Sequence, residues 1–142
     1  MTTARMSGGA AMVAGLAANG VDTVYGLPGA QIYPLFDALH RAAPAIRTLV
    51  PRHEQAAGYM AFGHARSTGR PGVFAVVPGP GVLNASAALA TAWGCCTPVL
   101  CLTGQVPTAF IGARRGHLHE LPDQLGTLRS LVKWAERIER PA

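Results

Sequence analysis

The chain has 142 residues, 49% of them hydrophobic and 13% charged, with a formal net charge of +5. That length suits one domain able to bury roughly 70% of its unfolded surface, and the hydrophobic share excludes a disordered chain. The basic residues, nearly all Arg, are scattered without interleaved aromatics. This argues against a nucleic-acid surface and for ordinary solvated cations, a few of them recruited to an anion or a partner.

Ser7 is placed to cap a helix running to about Asn19, with Gly20 as its stop. Arg5 and the apolar stretch after it have the outline of a secretory leader. The stretch flows through Asn19-Gly20-Val21-Asp22 into a strand with no clear cleavage site, so a helix of a cytoplasmic protein is expected. Residues 21–25 read as a short strand, ended by Gly26-Leu27-Pro28-Gly29. Residues 31–41 carry Ile32, Leu35, Phe36 and Leu39 at helical spacing, and 46–50 form a second strand. Arg52, His53 and Glu54 open a long helix that 69–72 close. Residues 73–77 read as a buried strand leading into Pro78-Gly79-Pro80-Gly81 and a helix over 82–93. A fourth strand over 99–102 ends in Thr103-Gly104-Gln105. A polar loop over 107–122, a short helix over 123–129 and a last strand over 132–137 complete the order. The longest apolar stretch, 85–102, is broken by Gly94 and Thr97-Pro98 and is too short and interrupted to span a bilayer. Cys95, Cys96 and Cys101 are odd in number and lack C-x-x-C spacing, which predicts reduced, buried thiols, with the Cys95-Cys96 pair in the core.

Apolar strands alternating with helices predict an α/β domain with a central parallel sheet and helices on both faces. The loops at 26–29, 51–54, 78–81 and 103–105 each follow a strand, so all four should lie along the carboxyl edge, where such sheets bind ligands. The helices after Glu54 and Gly81 lack a polar face. A helix apolar all round needs covering on every side, which predicts a second subunit or domain packed on them, although exposed alanines cost little.

Glu54 is a lone carboxylate heading an apolar helix. An acid there favours the helix dipole; withheld from water, it can also share or transfer a proton. The segment from Gly79 to Asn84 superficially matches a phosphate loop, but it lacks the third glycine of a dinucleotide fingerprint and the Lys-Ser/Thr of a P-loop, and Pro80 removes a donor. A tight turn presenting backbone and Asn84 to a flat ligand fits better. His117 and His119, with Glu120 and Asp123 near, could be conceived as a metal site, yet loop histidines are usually solvated and no metal is expected.

Four motifs occur in order: Y-G-L-P-G; R-H-E-Q-A-A-G-Y-M-A-x-G-x-A-R-x-T-G-x-P-G; G-P-G-x-x-N; and P-V-L-x-L-T-G-Q-V-P-x-x-x-I-G. Together, over residues 21–133, they resemble the N-terminal pyrimidine-binding (Pyr) domain of thiamine-diphosphate enzymes, above all acetolactate synthase large subunits and their pyruvate-oxidase-like cousins. The resemblance implies a three-layer α/β/α, Rossmann-like fold. It implies that Glu54 hydrogen-bonds the aminopyrimidine of thiamine diphosphate and favours its imino tautomer, so that the cofactor can deprotonate itself and attack a 2-oxo acid. Pro28, Gly29, Pro80 and Asn84 then match the loops around the pyrimidine, with Gln105 and His119 on the substrate side. The implied partner is a diphosphate-binding domain or subunit in a homo- or hetero-oligomer, which holds the magnesium-diphosphate end.

The chain also departs from that pattern. Val77-Pro78 stands before G-P-G where Thr-Ser is usual, Val82-Leu83-Asn84 stands for A-T-N, and Leu118-His119-Glu120 stands for F-Q-E. His119 in place of that Gln leaves the substrate and reaction type open. The sequence holds no Gly-Asp-Gly followed by Asn and no central domain, and Pro141 suits the first turn of a further helix. The expectation is a Pyr domain that is inactive without a diphosphate-binding half; a remnant or interaction module that only pairs with a partner is the alternative.

Overall fold

The computed structural model describes residues 5–139. Its centre is a four-stranded, all-parallel sheet in the order β2-β1-β3-β4, built from β1 (Thr23–Gly26), β2 (Arg47–Leu49), β3 (Gly72–Val76) and β4 (Val99–Thr103). Two helices, α1 (Gly8–Ala18) and α2 (Tyr33–Arg41), pack together on one face. Three more, α3 (Glu54–Thr68), α4 (Pro80–Asn84) and α5 (Ser86–Gly94), cover the other. The result is the expected three-layer α/β/α, Rossmann-like arrangement. A short helix, α6 (Gln124–Arg129), lies near the end of the chain.

The alternation of side chains along β3 builds the two halves of the core. Val73, Ala75 and Val77 enter the cluster with Val24, Leu35, Leu39 and Ile46, whereas Phe74 and Val76 enter the cluster with Ala57, Ala61, Val82 and Leu89. Every residue of β3 is buried, as a central parallel strand requires. Each fully buried Val or Phe there contributes about 1.5–3 kcal/mol.

The helix ends follow their sequence signals. Ser7 Oγ accepts from Ala10 N at 3.2 Å, and Gly20 continues the chain at φ 74°. Gly69, at φ 70°, closes α3 in the left-handed conformation that a helix C-terminus favours.

Several expectations are corrected. The strand expected over 132–137 does not form among the described residues. That segment stands off the edge of β4 across a cleft of about 510 Å³ lined in part by Leu89, Val99, Leu128, Val132 and Trp134. It is tied instead to the end of α6, where Arg129 Nε donates to Ala135 O at 3.3 Å and the Arg129 guanidinium pairs with Glu136 at 3.3 Å. The single helix expected over 82–93 is two helices that change over at Ala85. Gln31 lies outside α2, in the left-handed region at φ 69°. Cys95 and Cys96 are exposed rather than buried, because α5 ends at Gly94 and both follow it into the turn. Cys101, half-buried as a residue, packs against the α3-side cluster, and burial pushes its thiol up to about 12. A final helix suggested by Pro141 lies outside the described residues.

Candidate functional site

Because the sheet is parallel, β1, β2, β3 and β4 all deliver their following loops to one edge. The strand order places β1 beside β3, with β2 and β4 running outward on opposite sides. The carboxyl ends of β1 and β3 therefore flank the point where the connections diverge, the place at which open α/β sheets hold ligands. The Pro28-Gly29 turn follows β1, and the Gly79-Pro80-Gly81 turn follows β3.

Val77 separates these two turns. A Cβ on Gly29 would stand 2.5 Å from Val77 Cγ1, and one on Gly81 would stand 2.5 Å from Val77 Cγ2. Both turns thus close on the two methyl groups of one buried valine, and any larger residue at either position must push them apart. Gly79 has φ 61°, and a Cβ there would lie 2.5 Å from His119 O, so both the backbone and the approach of the later loop demand glycine.

Glu54 is the first residue of α3. His53 caps that helix, its Nδ1 accepting from Gln55 N at 3.1 Å, which leaves the Glu54 carboxylate free of any capping duty. Glu54 is half-buried, and its Cγ lies within 3.7 Å of a Cβ placed on Gly81. Asn84, in the last turn of α4, donates from Nδ2 to Glu54 Oε2 at 3.0 Å. Two residues thirty positions apart, singled out separately in the sequence, thus form one hydrogen-bonded pair on the rim that carries the Pro28 and Pro80 turns. Pro28 and Pro80 are exposed beside it.

The remaining candidates sit further along the same rim. Gln105, half-buried just past β4, turns its Oε1 back to Val106 N at 2.8 Å. His119 lies over Gly79, and its Nδ1 is 3.0 Å from Gln31 Oε1. His117 stacks on Phe110 at 4.4 Å between ring centroids. Glu120, considered as a ligand in the sequence, is spent on backbone. It accepts from His117 N at 2.9 Å, Arg114 N at 2.8 Å and Arg115 N at 3.1 Å, and these bonds, that of His117 foremost, hold its carboxyl below the ordinary range. Among the described residues no group of three or more His, Cys, Asp or Glu is disposed to hold a metal ion.

One residue escaped the sequence reading. Gln124 is buried, with its Oε1 accepting from Gly79 N at 2.9 Å and its Nε2 donating to Gly104 O at 2.9 Å. It staples the turn after β3 to the loop after β4. Only Asp123 before it, whose Oδ1 caps α6 by accepting from Gly126 N at 2.8 Å, hinted that the side chain next to it has a fixed direction.

The family model described as "Thiamine pyrophosphate enzyme, N-terminal TPP binding domain" matches residues 6–127. The chain belongs to this family. Among its relatives, the mitochondrial acetolactate synthase catalytic subunit of Saccharomyces cerevisiae is 43% identical over 114 residues, covering 80% of this chain and 16% of that protein. The acetolactate synthase of Arthrospira platensis is 42% identical over 140 residues, 97% of this chain and 24% of its own. A probable 2-ketoarginine decarboxylase of Pseudomonas aeruginosa is 42% identical over 119 residues, 84% of this chain and 21% of its own. The chain therefore spans no more than about a quarter of the length of these three relatives.

The donor set fits the pyrimidine end of thiamine diphosphate. It offers one carboxyl group with one oxygen already engaged, beside two rigid proline turns of the kind that present a flat wall to a ring.

Proposed function

We propose that the chain is the pyrimidine-binding half of a thiamine-diphosphate-dependent enzyme acting on a 2-oxo acid, an acetolactate-synthase-like carboligase or decarboxylase. The observation that carries this reading is the Asn84–Glu54 hydrogen bond at the carboxyl edge. Because Nδ2 can only donate, Oε2 must accept, and among the described residues Oε1 is then the oxygen left to carry and transfer a proton. Bound there, thiamine diphosphate would supply a carbon nucleophile for the keto group of the substrate. Glu54 would hold a proton against a ring nitrogen of the pyrimidine, Asn84 would orient that carboxyl, and Pro28, Gly29 and Pro80 would shape the walls. Gln105 and His119 take the substrate side. That 2-ketoarginine, named for one relative, is itself a 2-oxo acid supports this substrate class.

On this reading residues 1–142 are one Pyr domain, and the magnesium-diphosphate end of the cofactor is held by a diphosphate-binding domain or subunit outside this sequence. The domain is inactive without it. The assembly is a cytoplasmic oligomer without nucleic-acid or membrane partners; no helix among the described residues is long and apolar enough to cross a membrane. With a diphosphate-binding half supplied, Glu54→Gln should lower the rate of 2-oxo acid consumption by about 100-fold or more, the usual scale of a lost proton-transfer group. Equal rates for variant and wild type would remove Glu54 from the chemistry.

A second reading, an interaction module without catalysis, draws on the outer faces of α3, α4 and α5. Tyr59, Met60, Leu83 and Trp93 are 39%, 38%, 39% and 58% exposed there. A stable assembly with the partner half that takes up no thiamine diphosphate would favour this reading over the first.

A further inference from the structure

Gln31 and His119 make an unusual pair. Both are non-glycine residues in the left-handed region, at φ 69° and 66°, a conformation that side-chain-bearing residues rarely adopt. Strain of this kind persists only where the surroundings over-determine it. Here they do. The Gln31 amide reaches across 87 positions in sequence to donate from Nε2 to Leu118 O at 2.7 Å, while its Oε1 meets His119 Nδ1 at 3.0 Å.

The orientation of that amide follows from its partners. A backbone carbonyl has no proton to give, so the group facing Leu118 O must be the NH2. The group facing His119 is therefore the amide oxygen, which can only accept. His119 must then donate from Nδ1. In the neutral ring the proton on Nδ1 leaves Nε2 with a lone pair, and among the described residues Nε2 has no hydrogen-bond partner. His53 is fixed the opposite way. Its Nδ1 accepts from Gln55 N at 3.1 Å, so its neutral ring carries the proton on Nε2.

We infer that Gln31 is a positioning residue that locks neutral His119 in its Nδ1–H tautomer, so that the ring presents a hydrogen-bond acceptor, and no donor, through Nε2. That this acceptor faces the substrate rests on the function proposed above; the tautomer does not. The distinction matters because a glutamine amide in the same place would offer both an acceptor and a donor.

The test is a two-bond ring 1H–15N correlation spectrum of the chain labelled with 15N-histidine. It is recorded at about pH 9, well above the ordinary histidine value of ~6.5. His119 is assigned among the five histidines by its loss in His119→Gln. In the wild type His119 should show the Nδ1–H pattern and His53 the Nε2–H pattern. Gln31→Leu should return His119 to a mixture of tautomers. Gln31→Glu, which keeps an acceptor toward Nδ1 while losing the donor to Leu118 O, should retain the Nδ1–H form and serves as the folded control. A wild-type His119 with the proton on Nε2, or a Gln31→Leu chain whose His119 stays locked, would overturn the inference. Neither result touches the role of Glu54, which is read from turnover.

Discussion

Glu54, Asn84 and Gln124 differ in how far the sequence exposed them. Glu54 was legible because a solitary acid at the head of an apolar helix has few reasons to be there. Asn84 was legible as a polar residue after a Gly-Pro turn, but not as Glu54's partner, since that bond forms only when the loops after two different strands converge. Gln124 carried almost no signal, because an amide that bridges positions 45 and 20 residues away is defined by those positions and not by its neighbours. The part Glu120 plays was hidden for a related reason. Its three backbone donors come from a loop that the sequence shows only as polar. Those donors lower the Glu120 pKa from its ordinary value of 4.5. A lowered value means that the anchoring is complete above the ordinary value and is lost as pH falls through the folded one. Amide signals of Arg114, Arg115 and His117 should therefore hold steady from about pH 6 to 5 and move together as pH falls below the ordinary carboxyl range. In Glu120→Gln they should already be displaced at neutral pH. Wild-type amides that do not respond to acid would refute the anchoring role.

At the scale of elements, helical spacing located α2, cap and stop residues bounded α1 and α3, and an unbroken apolar run located β3. Boundaries and edges were less legible. Gln31 lies in the turn before α2, where its amide bonds the Leu118 carbonyl and the His119 ring. The stretch after α6 has strand-like composition, but it forms no ladder beside β4, and side chains line the cleft between the two. The carboxyl-edge loops depend on the staple provided by Gln124 at the start of α6. Gln124→Leu would leave Gly79 N and Gly104 O without that partner in the interior, and should cost about 1–3 kcal/mol. Thermal unfolding would show this as a Tm lower by several degrees. Gln124→Glu, which keeps only the bond to Gly79 N, should fall between. An unchanged Tm in Gln124→Leu would show that the staple is dispensable.

At the scale of the whole molecule, the outer faces of α3 and α5 leave apolar side chains exposed among the described residues. Tyr59 Oη and Thr91 Oγ1 share a hydrogen bond at 3.1 Å that joins the outer surfaces of α3 and α5. Met60 and Trp93 extend this surface with exposed apolar area, of the kind that marks a contact between proteins. The sequence foresaw the face from the lack of polar positions, but the occupant lies outside its reach. The chain at tens of micromolar should sediment as an oligomer, and Met60→Lys combined with Trp93→Glu should sediment as a folded monomer with the circular dichroism of the wild type. A wild-type chain that is monomeric throughout would show that this face needs a different polypeptide.

The valine between the two glycine turns has a consequence for how the crevice could be retuned. Its methyl groups act as a spacer block: the gap between the walls is gauged by hydrocarbon bulk, with no polar atom involved. Trimming that block to alanine would let the walls slump inward, and enlarging it to isoleucine would wedge them open, while Glu54 and its amide companion kept their chemistry. On the proposed function, the width of the crevice and the proton held by Glu54 would therefore be set by separate residues.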